Sequence, residues 1–183
     1  MIRIPNTRNE NSLYNAVEFV SRAQAKTDVR RSMIYFYKEG DFLLASDGHR
    51  LHTGILKNVV EHEVEAWLPE DGAYEIISKN RKELIISKVE GVPDFPRSWM
   101  KVFAVKDFDF TETVAGGKYP GVSKAVCDTL RMCPENQHFD MDYMTDVFKS
   151  GFSETWTILM GGELMPCLMK NSYKAAAVMP IRA

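Results

Sequence analysis

Cysteine is scarce in this chain. Cys127, Cys133 and Cys167 are the only three in 183 residues. They are odd in number and lack the close pairs of a zinc site, which leaves reduced, structural thiols. Long apolar runs are missing too: none approaches the roughly 20 residues that span a bilayer. Nor is one sign of charge in excess. Lys and Arg total 23 against 25 Asp and Glu, a net charge of −2. There is thus no global basic footprint for nucleic acid, and any contact with DNA must come from a local patch. The opening stretch MIRIPNTRNEN has no signal-peptide core, and the expectation is a cytoplasmic protein without a membrane partner. What is present is ordinary for a globular chain, 45% hydrophobic and 26% charged, long enough for one large domain or up to two small ones.

Residues 42–56, FLLASDGHRLHTGIL, organise the rest. An apolar run, Phe42 to Ala45, meets Ser46-Asp47-Gly48, then His49-Arg50-Leu51 and a second apolar run. Asp-Gly between two strand-like runs signals a hairpin turn, because glycine accepts positive φ and aspartate hydrogen-bonds its own backbone. A solvated polar tip would explain this much. Ser, His and Arg nevertheless crowd one corner, and the chain closes on a second unusual segment, Ala177-Val178-Met179-Pro180-Ile181-Arg182. The expectation is that the two segments meet.

The remaining pattern predicts strand–helix–strands three times over, without a low-complexity linker. Ile2 to Pro5 reads as a strand. Ser12 is a candidate N-cap for a helix to about Lys26, with Leu13, Ala16, Val17 and Val20 on one face and Asn15, Arg22 and Lys26 opposite. Strands follow over Met33–Tyr37 and Phe42–Ala45, then a charged connection over Lys57–Glu65. In the second unit Ala66–Leu68 reads as a strand. A helix follows over about Glu70–Asn80, opened by Pro69 and burying Ala73, Ile76 and Ile77. Glu83–Val89, Trp99–Val105 and Phe108–Ala115 read as strands. In the third, Phe139 ends a strand and Asp140 caps a helix of about Met141–Ser150, with Met141, Met144, Val147 and Phe148 inward. Strands are predicted at Thr155–Met160, Leu164–Met169 and Tyr173–Pro180.

Catalytic and metal chemistry find weak support. His49 and His52 are three apart and point to opposite faces of a strand, a poor metal pair. Ser46, Asp47 and His49 are too close in sequence to face one another as a nucleophile set. Gly116-Gly117-Lys118 lacks the length and following helix of a phosphate loop, so a turn is the reading. Asp140 and Asp142 are explained by helix capping and solvent exposure. The reading is a non-enzyme without catalytic residues, metal or cofactor. Met160, Met165, Met169 and Met179 fall in the last segment, where a soft, adaptable binding surface would suit them.

These residues resemble a known family, the bacterial DNA polymerase III beta subunit, or sliding clamp. Ile2-Arg3-Ile4-Pro5 is similar to the start of its middle domain, Thr27-Asp28-Val29-Arg30 to the loop after its helix, and ASDGHRL at 45–51 to its most specific motif. Trp67-Leu68-Pro69, Phe110-Thr111 with Gly117-Lys118-Tyr119-Pro120, Phe139 to Phe148 and Ala177 to Arg182 continue the likeness along nearly the whole chain. The family's N-terminal domain and the first half of its last domain have no counterpart. Glu70-Asp71 stands where the family tends to be basic, and Asp142 and Asp146 mark the polar side of the last helix.

The resemblance implies an α+β protein of the DNA clamp fold, one and a half clamp domains in about three strand–helix–strands units. It divides the chain into a clamp-like domain over 1–121, a connection over 122–138 and a half domain over 139–183. The implied function is a replication or repair processivity factor. It would bind double-stranded DNA without sequence preference, possible encirclement included, and clamp-motif peptides of partners such as a DNA polymerase or clamp loader. Carried over by position, the peptide pocket is Met33, Ser46, Gly48, His49, Arg50, Leu51, Pro120, Val126, Val178, Met179, Pro180 and Ile181. The basic residues on and after the first helix, Arg22, Lys26, Arg30 and Arg31, are the DNA-facing candidates. Four copies joined head to tail would supply the twelve units of a ring. The alternative is a clamp-motif-binding module, adaptor or decoy, that does not encircle DNA.

Overall fold

Ser12 starts the first helix as its spacing predicts. It is buried, and its Oγ accepts the Asn15 N–H at 3.3 Å, supplying one of the partners that a helix N-terminus lacks. The helix, α1, covers Leu13–Ser21 and buries Tyr14 and Phe19 besides the predicted Leu13, Ala16, Val17 and Val20. Its outer side is Asn15, Glu18 and Arg22. Glu63 completes the N-terminal cap from a distance: its buried carboxylate accepts the Leu13 N–H at 2.6 Å, where the helix dipole favours negative charge.

This computed structural model describes residues 1–59, 63–64, 67–103, 111–117, 138–149, 154–161 and 165–181. The chain forms two compact units, the first of residues 1–96 with 172–174, the second of 97–171 with 175–183. In the first unit the strands are β1 (Ile2–Pro5), β2 (Phe36–Glu39), β3 (Phe42–Ser46), β4 (Arg50–Ile55), β5 (Gly72–Lys79) and β6 (Glu83–Val89). They lie in the order β1-β6-β5-β2-β3-β4, each described pair antiparallel. α1 packs on β3 and β4. Phe19 stacks on His52 with ring centroids 4.5 Å apart, and the buried Lys174 ammonium lies 5.5 Å from the same ring. Residues 172–174 are tied in by the Ile55 N–H donating to Tyr173 O at 2.8 Å and by Asn58 Nδ2 donating to Ser172 O.

In the second unit β7 (Thr111–Gly117), β8 (Glu154–Met160), β9 (Cys167–Lys170) and β10 (Lys174–Val178) run antiparallel in the order β10-β9-β8-β7. The helix Met141–Phe148 is capped by Asp140, whose Oδ1 accepts the Asp142 N–H at 2.8 Å. Met144, Val147 and Phe148 are buried, and Phe148 meets the Trp156 ring edge-on at 5.5 Å. Met141, expected inward, is exposed.

Several elements differ from the sequence expectation. The segment read as a helix over Glu70–Asn80 is β5. Its Ala73, Ile76, Ile77 spacing is helix-like because the ladder to β6 shifts register between Ile76 and Ser78. Such a bulge breaks the period of two and leaves Ile77 46% exposed. The helical residues lie earlier. Glu63, Val64 and Trp67 are helical, with Leu68 N–H reaching Val64 O at 2.8 Å, so Pro69 follows a helix rather than opening one. Trp99–Phe103 is a short helix, not a strand. Lys101 N–H bonds Ser98 O at 3.0 Å and starts a turn that outweighs the strand preference of Trp, Val and Phe. Ahead of β2, residues Arg31–Met33 form a single 3-10 turn. Gly116 and Gly117 lie in β7, paired with Thr155 and Glu154, instead of forming a turn. No helix among the described residues is long and apolar enough to cross a membrane.

Because the Phe19 ring joins α1, β4 and residues 172–174, Phe19→Ala should lower stability by about 3–5 kcal/mol, the usual loss for a buried phenylalanine. Urea unfolding followed by circular dichroism measures it, and a loss below about 1 kcal/mol contradicts this account of the core.

Candidate functional site

The β3–β4 ladder runs from Phe42↔Ile55 to Ser46↔Leu51 and leaves residues 47–50 to turn the chain. The turn is held from inside. Ser46 Oγ donates to Arg50 O at 2.7 Å and accepts the Gly48 N–H at 3.0 Å. Asp47 Oδ1 accepts the N–H groups of His49 and Arg50, each at 3.0 Å, and Oδ2 takes Arg50 Nε at 3.0 Å. Asp47 and Arg50 are therefore structural to the turn, while Gly48 and His49 stand exposed. Leu51 begins the buried run of β4.

Gly48 has φ +92, and a Cβ there would lie 2.9 Å from Arg30 Nη2 and 3.2 Å from Nη1. The positive φ is what calls for glycine here, and the end of the flexible Arg30 side chain rests over the space its missing Cβ leaves. Arg30 is held there by Asp28. Asp28 Oδ1 accepts Arg30 N–H at 2.7 Å and Nε at 3.0 Å, and Oδ2 accepts Nη2 at 2.8 Å. The side-chain hydrogen bond from Arg30, then the backbone one, brings the Asp28 carboxyl down to about 2, and the same bond raises Arg30. Val29 between them is 98% exposed. Thr27, Asp28, Val29 and Arg30 border an open concavity of about 670 Å³. Met33 is buried behind this loop, its N–H on Arg30 O and its carbonyl accepting Ala25 N–H, both at 2.9 Å.

The candidates at the chain's end sit in the second unit. Val178 is buried at the end of β10, opposite Cys167. Met179 and Ile181 are 41% and 50% exposed, with Pro180 half-buried between them. The Ile181 N–H donates to His138 O at 2.7 Å and pins the tail. Pro120 and Val126 lie outside the described residues.

The four basic candidates do not form one set. Lys26 and Arg31 are exposed and make no ion pair among the described residues. Arg22 lies 3.7 Å from Glu18. Arg30 belongs to the Gly48 turn, an arrangement the sequence reading missed. The signal was present in Asp28-Val29-Arg30, since an aspartate two residues ahead accepts such an N–H, but the reach to Gly48 was not.

No family model matches this sequence, and no curated protein matches it. Solved structures do. The sliding clamp of Pseudomonas aeruginosa aligns over 100% of this chain and 67% of its own, at 17% identity and a TM-score of 0.56. The DNA polymerase III beta subunit of Thermotoga maritima aligns over 100% and 66%, at 19% identity and a TM-score of 0.58. This protein has the sliding-clamp fold. It spans about two thirds of the length of those clamps. The Helicobacter pylori beta clamp, seen bound to a DNA ligase peptide, aligns at 12% identity with a TM-score of 0.57 over 100% of this chain and 66% of its own. The α+β architecture expected from the sequence is the clamp's mixed one, antiparallel sheet with few helices.

Asp28 gives this clamp-fold corner a pH signature. Its folded value of about 2 lies below the ordinary 3.8. The contribution of its pairing is therefore complete above about pH 4 and lost as pH falls through about 2. Carboxyl-carbon NMR titration should place the Asp28 midpoint near 2, and a midpoint near 3.8 would contradict the bidentate pairing.

Proposed function

We propose that this chain is a clamp-like replication or repair accessory protein. It binds short clamp-motif peptides through Met33, Ser46, Gly48, His49, Arg50 and Leu51, and through Val178, Met179, Pro180 and Ile181, with Pro120 and Val126 in the same set. The division into 1–121, 122–138 and 139–183 belongs to this reading. Met179 and Ile181 carry it furthest: they are large apolar side chains left exposed on a pinned tail, in a chain of clamp fold. Apolar anchors beside fixed polar groups are how a short peptide is held. Arg30, over Gly48, adds a guanidinium to the polar side. Titration with a clamp-motif peptide should give a Kd on the order of micromolar. Met179→Ala should weaken it by roughly 1–2 kcal/mol, and deletion of Val178–Ala183 should abolish it. Unaltered binding in both variants refutes the assignment.

DNA contact belongs to the same reading, through Arg22, Lys26, Arg30 and Arg31 on double-stranded phosphates without sequence preference. Encirclement would take four copies joined head to tail. Two observations favour the alternative module that does not encircle DNA. Glu18 sits amid the outer side of α1, paired with Arg22 and Lys79. The bond from Asn6 N–H to Lys82 O also sets the β1 alternation. Arg3 and Pro5 therefore turn their backbone away from β6, and Pro5 offers no N–H for strand addition along that side. Light scattering at micromolar concentration separates the readings. A mass near four times 20.9 kDa supports the ring. A strict monomer or dimer, unaltered by DNA, leaves the peptide-binding module.

A further inference from the structure

The β5–β6 hairpin ends in Lys79, Asn80, Arg81 and Lys82, all exposed. Its backbone is fixed from three directions. Asn80 Oδ1 accepts the N–H groups of Lys82 at 2.8 Å and Glu83 at 3.0 Å, closing the turn. Asn80 O accepts the Tyr14 hydroxyl of α1 at 2.7 Å. Asn6 holds the other side, with Nδ2 donating to Arg81 O at 3.1 Å and its N–H to Lys82 O at 2.7 Å. The same Asn6 accepts the Arg8 N–H at 2.9 Å. Arg8 has φ 57, a left-handed conformation that residues other than glycine seldom take. Asn6 thus ties the loop that carries Arg8 to the Arg81–Lys82 end of the hairpin.

The charges here do not balance. Arg8, Arg81 and Lys82 make no ion pair among the described residues. Lys79 lies 2.6 Å from Glu18, a carboxylate that Arg22 also approaches at 3.7 Å. Arg3 reaches Glu83 only at 3.5 Å. Among the described residues, five cations, Arg3, Arg8, Lys79, Arg81 and Lys82, lie on this tip, its neighbouring loop and β1, against three carboxylates, Glu18, Glu83 and Glu10. Glu63 is turned inward onto the Leu13 N–H. Within a chain of net charge −2 this is a local positive field on a fixed backbone, with long side chains free to follow an anionic partner.

We propose that the Lys79–Lys82 tip with Arg8 is a second contact for the phosphate backbone of duplex DNA, extending the face that α1 begins. The inference rests on the reading that this chain meets DNA. Arginine forks and lysine ammonium groups would each bridge phosphate oxygens, giving affinity without base readout.

The test is fluorescence anisotropy of the full chain with a mixed-sequence duplex of about 20 base pairs, over a salt series. Arg81→Glu with Lys82→Glu should weaken binding at least tenfold at low salt. It should also flatten the log–log salt slope by about two, near 0.9 for each phosphate lost. Arg81→Gln with Lys82→Gln should fall between, with melting temperature and peptide affinity unaltered in both. Wild-type affinity and slope in the two variants overturn the proposal. If Arg22→Glu with Lys26→Glu still weakens binding in the same series, DNA contact stands without the tip. A wild-type chain that fails to bind the duplex at low salt overturns the tip and the DNA reading together, and leaves peptide binding standing.

Discussion

The first unit depends on where the Phe19 ring goes. It leaves α1, stacks on His52 of β4 and lies under the Lys174 ammonium. One side chain thereby joins a helix, a strand and residues more than a hundred positions away. Burying an ammonium is costly unless it gains attraction inside, and an aromatic face supplies part of it. His52 Nδ1 lies 2.9 Å from Phe19 O, so the histidine is bound to the backbone of the residue on which it stacks. β4 is thus held against α1 at the residue after Leu51, where the ASDGHRL turn ends. The position of the turn is set by this packing.

A second constraint acts at the turn itself. Gly48 takes a positive φ, and Arg30 occupies the space that a Cβ would need. Asp28 organises Arg30, and Asp47 organises the turn. Two carboxylates thus tie two loops by hydrogen bonds, with Met33 buried behind one of them. A corner held this way would lower the ordering cost of the peptide complex proposed for it. In the second unit, Met179 and Ile181 leave apolar surface exposed on a pinned tail. The opposite arrangement holds at the β5–β6 tip. There the backbone is equally fixed, but Arg81 and Lys82 make no ion pair among the described residues.

Much of this was legible in the residues. Ser12 and Asp140 read correctly as caps because capping is local: the side chain bonds N–H groups two or three positions ahead. The β3–β4 hairpin was legible for the same reason, through Asp47-Gly48. Ala73, Ile76 and Ile77 misled because a bulge mimics helical spacing, and nothing local announces one. Trp99–Phe103 misled because strand preference is weak and context decides it. Arg22 and Arg30 are near in sequence, yet the Arg30 guanidinium lies over the Gly48 turn, a placement that sequence nearness does not encode. The cations at Lys79–Lys82 carry no periodic signal, and the sequence expectation puts them at the end of a helix and in the connection after it.

The sequence by itself determined the clamp resemblance, the α+β class, the local caps and the turn at Gly48. Each is encoded within a few residues, by side chains that bond or strain their own neighbourhood. Only the tertiary structure decided that Arg30 covers Gly48, that Glu63 caps α1 from fifty residues away, and that Asn6 ties the loop of Arg8 to Arg81 and Lys82. Those contacts join distant segments through hydrogen bonds and charge. They carry no periodic signature along the chain, because their partners are chosen by packing, not by spacing.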